Sequence, residues 1–140
     1  MKKFIILLIL LLLMAVCRSE TYKIPSDVLE GSIPFKNLIK DDIKEVELFA
    51  VPPEVNENLS EDQIVELVTI VNKLTIYEEV SLVILSGQMV QCYIVKSDDS
   101  VLTIKCLNPY LIIDDVWYKA KYEPCEELNH FVNNILKTGS

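Results

Sequence analysis

Met89-Val-Gln-Cys-Tyr-Ile-Val-Lys-Ser-Asp-Asp-Ser-Val-Leu-Thr-Ile-Lys-Cys-Leu107 is the stretch whose reading decides the fold. Two runs rich in Val, Ile and Leu flank Ser97-Asp98-Asp99-Ser100, and such a short polar segment is turn chemistry, because Asp and Ser bond their own backbone there. The pattern predicts an antiparallel hairpin. Cys92 and Ile94 then share a face with Leu102, Ile104 and Cys106, and a three-residue loop sets Cys92 opposite Cys106.

Downstream, Asn108-Pro109 breaks the second strand, Tyr110–Ile113 resumes it, and Asp114-Asp115 turns the chain into a strand over 116–122. Upstream, residues 80–85 read as a strand joined to Met89 through the tight turn Ser86-Gly87. Short strands separated by Gly, Asp and Asn turns make an antiparallel meander.

Two helices bracket it. Ser60 is an N-cap, Gln63 completes a capping box, and Leu59 is placed to staple against Ile64. Ile64, Leu67, Val68, Val71 and Leu74 follow at helical spacing. Near the C-terminus, Leu128, Phe131, Val132, Ile135 and Leu136 form a second apolar stripe that must lie on something, and the natural support is one face of the meander. Before the first helix, Val46, Leu48 and Ala50 alternate with Glu45, Glu47 and Phe49, a half-buried strand that Pro52-Pro53 ends. The order β-α-β-β-β-β-α predicts an α+β, two-layer domain: an antiparallel β-meander with two helices on one face, over residues 43–140. Residues 18–42, with Pro25, Gly31 and Pro34, read as a tether or loosely packed arm.

The N-terminus carries an address. Lys2 and Lys3 precede thirteen uninterrupted apolar residues, 4–16, and Arg18 and Glu20 follow at once. That order is a signal peptide over 1–17. A membrane-spanning helix needs about 20 apolar residues. Two processing routes stand side by side. Ala15-Val16-Cys17 offers small residues for a cut before Arg18, giving a secreted chain. Leu13-Met14-Ala15-Val16-Cys17 instead resembles a bacterial lipobox, with Cys17 carrying lipid at the outer face of the cell membrane and Val16 standing where Gly, Ala or Ser is usual. Acyl chains anchor by about 0.8 kcal/mol per buried methylene.

Composition narrows the partners. Loss of residues 1–17 removes two lysines and no acid, taking the formal net charge from −8 to −10. Such a surface repels phosphate backbones, so no nucleic acid partner is expected.

Export places Cys92, Cys106 and Cys125 where disulfides persist. Cys92–Cys106 is the favoured bridge, and Cys125 is the rival for either partner. Catalytic machinery is missing from the pattern. The lone histidine, His130, lies off the apolar stripe of the last helix, and thiol catalysis usually needs an imidazole beside the sulfur. No C-x-x-C pair, G-x-S-x-G elbow or glycine-rich phosphate loop occurs. Acid pairs at 41–42, 78–79, 98–99, 114–115 and 126–127 fall at turns and helix starts, where they have local reasons to be. Asn58-Leu59-Ser60 is a sequon in which Ser60 is already committed as a cap. No catalytic residue, metal or cofactor is expected.

The binding candidates are aromatic: Tyr110, Trp117, Tyr118 and Tyr122, close to Lys119 and Lys121. Rings with a polar handle are enriched at interfaces, although such residues pack in cores more often.

Taken together, the Lys-Lys start, the apolar run ending at Cys17, the helix capped at Ser60 and the stretch from Tyr110 to Tyr118 resemble small exported bacterial proteins of unknown function. The resemblance implies a cell-envelope location and no active-site residues. The expectation is a non-enzymatic extracytoplasmic domain that engages a protein or glycan partner. An inhibitor of an extracellular hydrolase is the alternative, and a small enzyme comes last.

Overall fold

Alternating burial builds the sheet. In the computed structural model, which describes residues 31–81 and 86–138, Val46, Leu48 and Ala50 turn inward from β1 (Ile43–Val51) while Glu45 stays in solvent. The chain continues through β2 (Val55–Asn58), helix α1 (Glu61–Val71), β3 (Ile76–Glu79), β4 (Met89–Lys96), β5 (Val101–Leu107), β6 (Tyr110–Ile113), β7 (Val116–Ala120) and helix α2 (Tyr122–Thr138). The strands form one seven-stranded sheet in the order β2-β1-β4-β5-β6-β7-β3, and every neighbouring pair is antiparallel. This is the expected α+β fold, a meander with both helices applied to one face.

Residues facing the helices repeat across the ladder. Val46 pairs with Ile94, and Leu48 with Cys92, which in turn faces Ile104. Cys106 faces Leu111, which faces Tyr118. Against this layer lie Ile64, Leu67, Val68 and Val71 of α1 and Leu128, Phe131, Val132 and Leu136 of α2. Leu48, Leu67, Ile94, Ile104 and Leu128 have no exposed surface. Each fully buried Leu or Ile contributes on the order of 1.5–3 kcal/mol of transfer free energy.

Three elements depart from the expected boundaries. An additional strand, β2, follows Pro52-Pro53: the prolines turn the chain back on itself, and Val55–Asn58 pairs with β1 to make one edge. The strand expected over 80–85 as partner of β4 has no vacancy to fill, because β4 is flanked by β1 and β5. The strand in this region is Ile76–Glu79, at the far edge beside β7. Val80 and Ser81 lie past its end, and 82–85 are outside the described residues. Finally, β7 stops at Ala120, and Tyr122 opens α2 rather than ending a strand. Pro124 fits that first helical turn, where a proline breaks no intrahelical bond.

The described part of the arm is docked. Ser32 exchanges two backbone hydrogen bonds with Ile76, both 2.8 Å, Phe35 packs on the core, and Leu38 is buried within it. The signal segment 1–17, with Cys17, lies outside the described residues.

Turn chemistry supports the reading of the acid pairs at two hairpins. Asp98 Oδ1 accepts from the Ser100 backbone at 3.0 Å and from the Ser100 hydroxyl at 2.5 Å. These bonds hold the Asp98 carboxyl below its ordinary range. Asp114 and Asp115 both sit at positive φ, 46° and 70°, in the two-residue turn between β6 and β7. Short Asp side chains tolerate that region, which hairpin turns require. Asp114 Oδ1 also accepts from the Thr103 backbone N–H at 3.1 Å.

Candidate interaction face

The two faces of the sheet differ in kind. One carries the helices. On the other, where no described helix packs, the ladder aligns Phe49, Gln91, Lys105, Ile112 and Trp117 in one row. A second row holds Glu47, Tyr93 and Thr103, and a third holds Leu107, Tyr110 and Lys119. Four aromatic rings, Phe49, Tyr93, Tyr110 and Trp117, therefore project from the same side. Tyr93 is 38% exposed, and the other three are half-buried. Tyr110 and Trp117 touch, with ring centroids 6.3 Å apart and planes tilted by 59°. Tilted pairs at this separation satisfy the ring quadrupoles.

Of the four aromatics marked by sequence, the structure brings two together. Tyr110 and Trp117 are neighbours on the helix-free face. Tyr118 points to the helix side, opposite Leu111. Tyr122 stands on α2 and is 57% exposed, away from the sheet rings. Phe49 and Tyr93 complete the aromatic face and went unmarked. Their signal was present: both fall out of phase with the buried residues of their strands, so the alternation that hides Leu48 and Cys92 sends them to the opposite side.

Lys119 flanks the pair and is held by Glu78 of β3 at 2.6 Å, which keeps its ammonium above the ordinary lysine range. Lys105 lies 3.4 Å from Asp115. Rings bordered by charge-paired lysines form a surface of mixed polarity.

No family model, curated protein or solved structure matches the chain.

Elsewhere the chemistry is sparse. A shallow groove of about 300 Å³ runs between the helices and is lined by Glu66, Thr69, Ile70, Glu127, His130 and Phe131. His130 is 73% exposed there, with Nε2 3.3 Å from Glu126. Cys125 shares its helix but is fully buried on the other side, so the imidazole does not reach the thiol. Among the described residues no group of three or more His, Cys, Asp or Glu side chains could hold a metal ion, and Asp114-Asp115 is occupied with its turn.

The cysteines correct one expectation. All three described cysteines are buried free thiols. The β4–β5 loop is Ser97-Asp98-Asp99, with Lys96 N–H donating to Ser100 at 2.8 Å, so Cys92 pairs with Ile104 and Cys106 with Val90. Cys92 and Cys106 are thus diagonal, and diagonal neighbours lie about 7–8 Å apart. A disulfide wants Cα atoms within about 4.4–6.8 Å. The expected Cys92–Cys106 bridge does not suit this register. Burial pushes the Cys92 thiol up to about 12, which leaves it unreactive at neutral pH.

Proposed function

We propose that this chain is an exported, non-catalytic domain of the cell envelope that binds a protein or glycan partner through the helix-free face of its sheet. One observation carries the reading: Phe49, Tyr93, Tyr110 and Trp117 share one face of the sheet, away from the helices that use the other, and Tyr110 and Trp117 are in contact there. Aromatic side chains supply large contact area at low entropic cost, and tilted ring pairs bordered by lysines suit sugar faces and peptide side chains alike. Lys2, Lys3 and the apolar run to Val16 support export, by secretion or by lipid on Cys17. Among the described residues no helix is long and apolar enough to cross a membrane.

The test is retention of envelope components on the immobilised chain. Wild type is compared with Trp117→Ala and Tyr93→Ala, with circular dichroism as the control for folding. A protein or saccharide held by wild type and lost from both folded variants supports the proposal. Equal retention by all three overturns it. Intact-mass analysis of the native product checks export separately: a chain beginning at Cys17 or Arg18 supports it, and a chain retaining Met1 in the cytosol removes it.

A further inference from the structure

We infer that Cys106 and Cys125 form a disulfide that staples β5 to the first turns of α2, an inference that rests on the export reading for its oxidising surroundings. Cys106 closes the buried row of β5, and Cys125 enters the same pocket of the core from α2. Both are fully buried. The Cys106 thiol donates to the Cys125 backbone oxygen at 3.7 Å, which sets its sulfur directly against Cys125. Cys92 is equally buried but stands diagonal to Cys106 across the ladder. Two of the three core cysteines are therefore matched, and the third is left as a protected thiol.

The chemistry balances with a disulfide-class oxidant such as glutathione disulfide. The Cys125 thiolate, having lost its proton to solvent, attacks one glutathione sulfur and expels the other half as a thiolate. The Cys106 thiol then gives up its proton, and its sulfur attacks the Cys125 sulfur, expelling the second glutathione. One protein S–S bond has formed, one glutathione S–S bond has broken, and two electrons have passed to the oxidant. Because both sulfurs are buried, the exchange belongs to folding, before α2 settles on the sheet.

The three core cysteines lie on separate tryptic peptides, 74–96, 106–119 and 122–137, and Cys17 lies on a fourth, 4–18. The full chain is refolded from the reduced, denatured state in a glutathione redox buffer, alkylated, digested without reductant and mapped by mass. The expected product is 106–119 joined to 122–137, two hydrogens lighter than the separate peptides and split by reduction. Cys92 then alkylates only after denaturation. Reduction is expected to lower the Tm by roughly 10 °C or more, as for a native disulfide of a small domain. Recovery of 106–119 and 122–137 as separate alkylated peptides, or of 74–96 joined to either, overturns the inference. Because the buffer supplies the oxidant, this outcome is independent of where the chain resides. A native product that keeps Met1 would remove export while the refolding result still decides the pair.

Discussion

Ser60 and Gln63 hold each other at the head of α1: the Ser60 backbone N–H donates to Gln63 Oε1 at 2.8 Å, and the Gln63 N–H donates to Ser60 Oγ at 3.4 Å. The reciprocal pair satisfies two backbone donors that no intrahelical carbonyl can reach. Ser60→Ala is expected to destabilise the domain by about 1 kcal/mol, and Ser60→Asp to leave it nearly unchanged. Urea unfolding followed by circular dichroism checks both.

Leu48 carries the centre of the helix-facing layer. It pairs with Cys92 across the ladder and has no exposed surface. Leu48→Ala should cost roughly 2–5 kcal/mol, the cost of lost transfer energy plus an unfilled cavity. Val65, 52% exposed on α1, is the control, and Val65→Ala should shift stability by less than about 0.5 kcal/mol.

The two-residue turn at Asp114-Asp115 makes a backbone prediction. Asp115 at φ 70° accepts glycine without strain, so Asp115→Gly should be close to neutral. Asp115→Val forces a branched side chain into the left-handed region and should cost about 1–2 kcal/mol. Thermal melts of the two variants measure the difference.

Asp98 makes a pH prediction. Its folded pKa is lowered, first by the Ser100 hydroxyl and then by the Ser100 backbone N–H. A depressed carboxylate stabilises the folded state above its unfolded pKa, near 3.9, and that contribution fades as pH falls through the lower folded value. Carboxyl titration by NMR should place Asp98 below ordinary aspartate, and Ser100→Ala should move it back up. An Asp98 titrating at the ordinary value in wild type contradicts the turn geometry.

Cys92 gives the alkaline counterpart. Its thiol, pushed up to about 12 by burial, favours the folded state while neutral. That contribution is complete below the unfolded thiol value, near 8.5, and is lost as pH climbs from there towards 12. Unfolding midpoints measured in reductant between pH 8 and 11 should fall less steeply for Cys92→Ala than for wild type.

Signals that act over a few residues could be read without the fold. The Ser60 cap, the helical spacing from Ile64 to Leu74, the alternation of Val46, Leu48 and Ala50, and the Asp98-Asp99 and Asp114-Asp115 turns each depend on neighbours within one or two turns of chain. Helix and strand identity, and the two-layer class, follow from them. A single residue of loop register was enough to mislead the cysteine pairing, because slipping the loop from Ser97-Asp98-Asp99 to Asp98-Asp99-Ser100 moves Cys92 from Ile104 to Cys106. The aromatic face was only half legible: Tyr110 and Trp117 are close in sequence, but Phe49 and Tyr93 join them only through the ladder.

The sequence by itself determined both helices, β1 and the strands of the meander, because caps, turns and hydrophobic periods are local energies that need no distant partner. Only the tertiary structure decided which strands stand on either side of the meander. Ile76–Glu79 sits at the far edge beside β7, and Cys106 meets Cys125, because these contacts join residues distant along the chain. Such contacts form only where the assembled core offers a vacancy of the right shape.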